Sequence, residues 1–499
     1  MKLILATPTK LVLPSEWIDS SVEAELRKEL RFKDMKVEFN IRKWREHQRN
    51  PKGSWFVHQF GEEALELKIA ELQKELIKSA LFKKDGQLYT YSGLAHRISN
   101  QYGCEVVRQF EMPEPKHIAT LKESHKARWY QKQSADLLVA VGHGAVELAT
   151  GLGKSFIIAD LIYRLGLPAV VVAPTLSIAN QLYSDCKAMF GTKYVGMFFG
   201  GKKQADKKIV IAVSKSLTLV KPNTPEHAML SNKSVLIGDE SHLLPADTLA
   251  AVVLKLFKNI PYRFFLSGTQ TRSDGLQIVL EGITGPIVMQ MNVKEGVDSG
   301  FLARPKFVQV KVRSDLPEAR KSDPIKVNRT HLHRNPNVYA HAGKLIKWAL
   351  SQKRRPLVLL EEVGQFAYLF PHIKQIEKVG FAHGGVAKEL RKEIPEKFHK
   401  SNSMQLVAEF DAGELDLLVG TQCIGVGTDI KTANVIIDIV GLASEVRLRQ
   451  NVGRGTRKSG DKQDFMYVDY DIFNIEILSK QAAKRFGIFE NIYGPVKVL

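Results

Sequence analysis

The segment Ala149-Thr150-Gly151-Leu152-Gly153-Lys154-Ser155 restricts this chain more than any other. A short apolar run at 145–148 leads into it, and a helix-like run at 156–165 leads out. Strand, glycine-rich turn, Lys-Ser and helix form the layout of a phosphate cradle. Glycines let main-chain N–H groups close around phosphate oxygens, and the helix N-terminus adds positive potential. In such a cradle Lys154 reaches the β- and γ-phosphates and the Ser155 hydroxyl ligates Mg²⁺. Thr150, Gly151, Leu152 and Gly153 then form the wall of the pocket. The strict eight-residue pattern begins with glycine, where this chain has Leu148, and a structural turn is the competing reading.

Bulk properties narrow the classes. At 499 residues the chain holds about three domains. No apolar run reaches the length of about 18 residues that a membrane span needs. The apolar stretch at the N-terminus is too short for a signal peptide. Cys104, Cys186 and Cys423 are scattered and odd in number, which suggests neither a disulfide framework nor a metal site. The expected compartment is a reducing cytoplasm, the host's if the chain is viral. A net charge of +19 favours a polyanionic partner, because Lys and Arg neutralise phosphates and release counterions. It does not separate DNA from RNA.

Residues 1–115 carry no catalytic motif. Short strands are expected at 3–5 and 11–13, helices at 22–30, 62–80 and 93–102, with Ser20 or Ser21 capping the first. Arg42, Lys43 and Arg45 stand with Trp44, close to Trp55 and Phe56. Cations interleaved with rings suit a nucleic-acid surface, and a solvated loop is the competing reading. The region is read as a small mixed α/β accessory domain.

After a polar connection at 116–128, Arg128 and Gln131 open a helix one element upstream of the phosphate loop. A glutamine amide can pair with the N6 amino group and N7 of adenine. Continuous apolar runs at 169–173, 209–213 and 234–238 suit central parallel strands. The third ends in Asp239-Glu240-Ser241-His242. An acid there can hold the Mg²⁺ shell, and a second can orient the attacking water. A further strand at 262–266 ends in Ser267-Gly268-Thr269, placed to sense the nucleotide state. Thr175, Ser214 and Lys215 follow strands and can hold phosphodiester oxygens or cap helices.

Residues 296–304 look like a domain exit, and 307–312 alternates like an edge strand. Strands at 357–360, 380–382, 415–419, 435–440 and 466–468, separated by helical runs, indicate a second doubly wound sheet. Thr421 leads into a run containing Gly427 and Asp429. Gln450-Asn451-Val452-Gly453-Arg454-Gly455-Thr456-Arg457 follows. Arginines three apart lie on one helix face, and guanidinium groups meeting a γ-phosphate offset transition-state charge.

In order, Arg128/Gln131, 149–155, 174–175, 239–242, 267–269, 420–429 and 450–457 resemble the motif series of a superfamily 2 helicase of the DExH kind, over about 125–475. The loop is similar to that superfamily's A-x-T-G-x-G-K-[ST] version, which accounts for Leu148. Residues 450–457 match Q-x-x-G-R-x-x-R. Size and a small domain before the adenine motif resemble the phage branch-migration helicases. The resemblance implies an α/β chain of two RecA-like parallel-sheet domains in tandem, at 116–303 and 304–499, behind an accessory domain at 1–115. It implies ATP and Mg²⁺ at Lys154, Ser155, Asp239 and Glu240, with Gln450, Arg454 and Arg457 completing the site when the domains close. Arg128, Gln131, Gly427 and Asp429 would contact the nucleotide, and Ser267 and Thr269 would couple its state. Thr175, Ser214, Lys215, His383 and Thr421 would contact a nucleic-acid backbone. The expected activity is an ATP-dependent DNA helicase or translocase on forks, D-loops and four-way junctions, working as a monomer away from membranes. An RNA helicase or RNA-stimulated ATPase, a non-motor nucleic-acid-binding protein, and a motor subunit of a restriction complex, which would need a partner chain for its nuclease, are the competing classes.

Overall fold

The computed structural model describes residues 3–116, 127–244, 250–270, 275–317, 323–421, 424, 430–441, 445–460 and 462–499, leaving out the side chain of Val446. Contacts divide the chain into two compact units: Met1–Glu147 with Ser155–Gln290, and Leu148–Lys154 with Met291–Leu499.

The first unit begins with a mixed sheet, in the order Phe82–Lys84, Gln87–Tyr91, Lys10–Val12, Leu3–Ala6, Glu105–Arg108. Its core gathers Ile4, Leu11, Trp17, Leu26, Leu88 and Ile98, all fully or almost fully buried. Helix Ser21–Glu29 starts where expected, with the Ser20 hydroxyl accepting from Glu23 N–H. This body packs on helix Gln277–Thr284 of the same unit. A Cβ at Gly93 would meet the Glu281 and Gly282 carbonyl oxygens at 2.5 and 2.6 Å, so only glycine permits the approach.

Out of the accessory body rises a two-stranded stalk, Arg31–Lys33 against Ile77–Ser79. It carries a helical hairpin, Met35–Arg49 and Glu62–Leu76, with the short helix Trp55–Phe60 between. The hairpin has its own core of Val37, Ile41, Leu65 and Ile69. The helix expected over 62–80 therefore stops at Leu76, because Ile77–Ser79 pairs with a strand distant in sequence, and tertiary pairing overrides local propensity.

The rest of the first unit is a seven-stranded parallel sheet. Its order is Val195–Phe198, Ile209–Val213, Ala169–Ala173, Val235–Asp239, Tyr262–Ser267, His143–Leu148, Ile287–Met291. The second unit builds another: Val379–Ala382, Leu417–Gly420, Pro356–Leu359, Val435–Asp438, Asp464–Ile472, Arg304–Val312, Val496–Val498. Counted along the chain, both sheets read 3-4-2-5-6-1-7. The two-sheet RecA-like α/β architecture with a mixed accessory sheet is as expected.

Two local expectations change. Strand Arg304–Val312 is not an edge, because Val496–Val498 pairs outside it. Its alternation has another cause: Gln309 points inward and donates to the Asp469 carboxylate at 2.8 Å. The polar stretch before 335 contains helix Pro324–His331, capped by the Asp323 carboxylate.

Candidate nucleotide site and nucleic-acid interface

In the first unit, Glu147, Asp239 and Ser267 stand at or next to the carboxyl ends of their parallel strands, where open α/β sheets place their chemistry. Strand Val235–Asp239 runs close beside its neighbour at Gly238. A Cβ there would lie 2.8 Å from the Phe265 ring. Asp239 Oδ1 accepts from Glu240 N–H at 2.9 Å. Glu240 adopts φ 49°, ψ 49°, a left-handed conformation that costs a non-glycine residue about 1–3 kcal/mol and collects at functional sites.

From Glu240 a chain of polar groups runs inward. His242 Nδ1 lies 3.4 Å from Glu240 Oε2 and 2.8 Å from Ser267 Oγ. The Ser267 hydroxyl donates to the Thr269 carbonyl at 2.7 Å, and Thr269 N–H donates back at 3.2 Å. With its own proton so used, the serine oxygen accepts from Nδ1–H. Gln270 Nε2 donates to Ser241 Oγ at 2.8 Å. Ser267 and Thr269 are thus joined to the acid-bearing turn by hydrogen bonds.

Gln131 is buried in helix Trp129–Val141, and its Oε1 accepts from Arg128 N–H at 3.0 Å. Arg128 also donates to the Tyr130 hydroxyl at 3.0 Å. Trp129 stands beside them, 56% exposed, an aromatic face of the kind that stacks on a base. Ser155 lies in the first turn of helix Lys154–Leu165.

The segment Leu148–Lys154 groups with the second unit. Gly151 and Gly153 have φ of 94° and 78°, values that glycine takes at no steric cost. Positive-φ glycines followed by Lys154 and Ser155 at a helix start fit a polyphosphate chain. Lys154 Nζ donates to the Leu148 carbonyl at 3.4 Å, inside the loop that would wrap such a group.

The arginine segment differs from its expected form. Helix Glu445–Gly453, which carries Gln450, stops at Gly453, so Arg454 and Arg457 do not share a helix face. Gly455 turns the chain against Phe465, where a Cβ would sit 2.1 Å from the ring. Thr456 donates to the Thr150 and Gly453 carbonyls at 3.0 and 2.8 Å. Arg457 forms a bridge with Leu302. Burial pulls both guanidinium groups down to about 10, with Tyr467 and Asp438 opposing it at Arg454 and Asp411 at Arg457. Asp438 is itself held by Asn451 at 3.0 Å and by the Tyr467 hydroxyl. Asn451 and Asp438 were not singled out from sequence. Gly427 and Asp429 lie outside the described residues.

The expected backbone contacts are spread over both units. Thr175 caps helix Leu176–Phe190. Ser214 and Lys215 form the first turn of the short helix Ser214–Leu217, with Lys215 exposed. His383 is buried: its Nε2 meets the Phe398 carbonyl at 2.7 Å and its Nδ1 accepts from Gly385 N–H at 3.0 Å. Burial depresses its pKa, so the ring is a neutral turn-holder. Thr421 is buried and its N–H donates to the Ala382 carbonyl. On the hairpin, Arg42, Lys43, Arg45 and Trp55 are all exposed. The three cations lie on helix Met35–Arg49, not in a loop, and Arg42 pairs with Glu38 at 2.8 Å.

Glu147 lies within a run whose hydropathy reads as apolar. A lone acid in a buried strand is its sequence signal, since such residues are almost never buried unless paired.

Among known proteins, residues 120–272 match the family model "Type III restriction enzyme, res subunit", and residues 340–459 match "Helicase conserved C-terminal domain". Putative helicase 22 of Sulfolobus islandicus filamentous virus is 21% identical over 71% of this chain and 65% of its own. The DNA 3'-5' translocase XPB2 of Sulfurisphaera tokodaii is 22% identical over 80% and 93%. The ATP-dependent DNA helicase uvsW of Enterobacteria phage T4 is 23% identical over 67% and 66%. The chain thus spans just under two thirds of the viral helicase and of uvsW. A fragment of a putative HsdR subunit of a type I restriction enzyme from Vibrio vulnificus has the same fold, with TM-score 0.54 and 16% identity over 81% of this chain and 72% of that one. No helix among the described residues is long and apolar enough to cross a membrane. With both helicase models matched in order on two sheets of one topology, and with the DExH acids and the arginine segment where those models fall, the chain belongs to the ATP-dependent helicases of superfamily 2.

Proposed function

We propose that this helicase moves along DNA at the expense of ATP and acts on branched substrates such as forks, D-loops and four-way junctions. The observation that carries the branched part is the hairpin: an accessory element outside both motor sheets that exposes Arg42, Lys43, Arg45 and Trp55 together. Cations there would hold phosphates, and the ring would stack on an unpaired base. DNA is favoured over RNA by the names of the viral-, archaeal- and phage-type relatives, two of which are DNA enzymes.

In this reading Lys154 neutralises the β- and γ-phosphates, and Arg128 and Gln131 hold the adenine, with Gly427 and Asp429 as further nucleotide contacts. Ser155 and Asp239 would hold Mg²⁺, which supplies Lewis-acid polarisation of the phosphates when bound. Glu240 takes the proton of the attacking water, and its strained backbone fixes the carboxylate. Arg454 and Arg457, with Gln450 on the preceding helix, offset charge that develops on the γ-phosphate. Thr175, Ser214, Lys215 and Thr421 follow strand ends and would steady the nucleic-acid backbone, while the buried His383 ring, with both nitrogens taken by main-chain groups, would only hold the turn that follows its strand. Contacts of that sort give tracking without sequence preference. We take the working form as a single chain.

The deciding experiment measures ATP hydrolysis with single-stranded DNA, duplex, forked DNA and RNA. Forked DNA should stimulate most and RNA least. Equal stimulation by RNA would move the protein to the RNA helicases. An absence of hydrolysis with every polymer would leave a non-motor binding protein.

A further inference from the structure

We propose that Glu147 is a positioning residue that links the acid–histidine–hydroxyl chain to the two places where the polypeptide leaves the first unit. The proposal rests on the ATP-driven reading above. Glu147 is 9% exposed and pairs in register with Ser267 on the neighbouring strand. Its Oε2 accepts from Gln270 N–H at 2.7 Å, and its Oε1 accepts from Gln290 Nε2 at 2.9 Å. Gln270 is the residue after Thr269, and its side chain holds Ser241. An unbroken path of polar contacts therefore leads from Glu240 through His242, Ser267 and Thr269 to Gln270, Glu147 and Gln290.

The position of the last two residues gives the path its meaning. The first unit ends at Glu147, resumes at Ser155, and ends again at Gln290. The final residue before each of these departures is hydrogen-bonded to the other. The same two runs are joined one rung earlier by Ala145 N–H on the Pro286 carbonyl at 2.8 Å. One step beyond, within the second unit, Ala149 N–H meets the Met291 carbonyl at 3.0 Å. A carboxylate suits this junction because it is acceptor-only and has two oxygens, which match two donors arriving from different elements. When Glu240 and His242 rearrange around a γ-phosphate, the Ser267–Thr269 turn shifts. Gln270 N–H then carries the carboxylate and Gln290 with it.

The test compares Glu147→Ala, Glu147→Gln, Gln290→Ala and the exchange E147Q/Q290E in the full chain. Measured are kcat and KM for ATP on forked DNA, base pairs opened per ATP, and the thermal midpoint. Gln290 is exposed, so Gln290→Ala leaves no cavity. It should keep kcat and KM within about twofold while base pairs opened per ATP fall about fivefold, within the range that loss of one coupling contact gives. Glu147→Ala should lose at least as much. Glu147→Gln should recover most of it, because its carbonyl still accepts from Gln270 N–H. Its amide can then donate to the Gln290 carbonyl once that exposed amide turns over. The exchange E147Q/Q290E supplies the same pair reversed and should recover too. A purely structural role would lower the midpoint and turnover together, and that result overturns the proposal. So does a wild-type motor whose Glu147→Ala and Gln290→Ala variants open as many base pairs per ATP as it does. A wild-type chain without DNA-stimulated hydrolysis overturns the motor reading first, and this proposal with it.

Discussion

The two seven-stranded sheets share one strand order, 3-4-2-5-6-1-7, yet they use their polar residues differently. In the first, the carboxyl ends of three strands bring Glu147, Asp239 and Ser267 into a hydrogen-bonded rim that continues to Glu240 and His242. In the second, the charged groups lie inside. Arg485 donates to Asp469 at 2.8 Å and to the Gly441 and Tyr470 carbonyls, and Gln309 takes the other carboxylate oxygen. Burial raises Asp469 while Arg485 opposes the rise. Asp438, Asn451 and Tyr467 hold the base of the arginine segment in the same dry interior. One topology thus supports a polar rim in one unit and a buried mount for a short segment in the other. The rim should respond to substitution in rate, and the dry interior of the second sheet in stability.

The largest effects expected are at the phosphate loop and the rim. Lys154→Ala should abolish hydrolysis and weaken ATP binding, and an unchanged turnover number would break the comparison outright. Glu240→Gln should bind Mg·ATP and still fail to turn over, since an amide cannot take the proton of the water. It should also retain DNA in the presence of ATP. Normal hydrolysis by this variant would move the water-orienting role to another group. Arg457→Ala comes next. It should lower kcat on the order of 10³-fold with little change in nucleotide binding. Equal losses in both would make Arg457 a ground-state contact and bring the second unit's behaviour nearer to the first's.

For the mount, Arg485→Ala leaves the Asp469 carboxyl buried beside Gln309 alone. Removing one partner of a buried pair costs about 3–5 kcal/mol. The denaturant midpoint should drop accordingly, while the variant that remains folded hydrolyses ATP at a near-normal rate. If instead turnover falls and the midpoint holds, the interior of the second sheet takes part in chemistry and the contrast fails.

How much of this could be read from the chain follows from the range of the interactions. The central strands were legible because continuous apolar runs such as 169–173 are a local property. So were the places of Lys154 at a helix start and of Asp239 and Glu240 at a strand end, which follow from neighbours within a few residues. The end of helix Glu62–Leu76 was not, because the pairing of Ile77–Ser79 with Arg31–Lys33 spans the whole hairpin. Nor was the inner position of Arg304–Val312, whose outer neighbour lies at the far end of the sequence. The helix-face reading of Arg454 and Arg457 failed at Gly453 and Gly455. There, close packing on Thr150 and Phe465 replaces helical spacing. Glu147 was hidden by its apolar neighbours. Its partners, Gln270 and Gln290, lie more than a hundred residues away.

The smallest effect concerns the hairpin, which lies outside both sheets and serves as the control for the contrast between them. Its core of Val37, Ile41, Leu65 and Ile69 does not involve the exposed cations. Arg42, Lys43 and Arg45 can therefore be replaced by alanine without opening a cavity. Lys43 and Arg45 form no ion pair among the described residues, and Arg42 loses only an exposed pair with Glu38, worth little in stability. The triple variant should keep the wild-type thermal midpoint and its ATPase on plain single strands. On forked DNA its affinity should fall and its salt dependence flatten, because each lost phosphate contact reduces the slope by about one unit. Binding to fork and single strand across a salt series, for wild type and variant side by side, gives the answer. A slope reduced on the fork alone assigns the branch to the hairpin. A slope reduced equally on both substrates makes the hairpin a general electrostatic surface. An unchanged slope makes it a solvated element, and any choice among branched substrates then has to come from the motor units themselves.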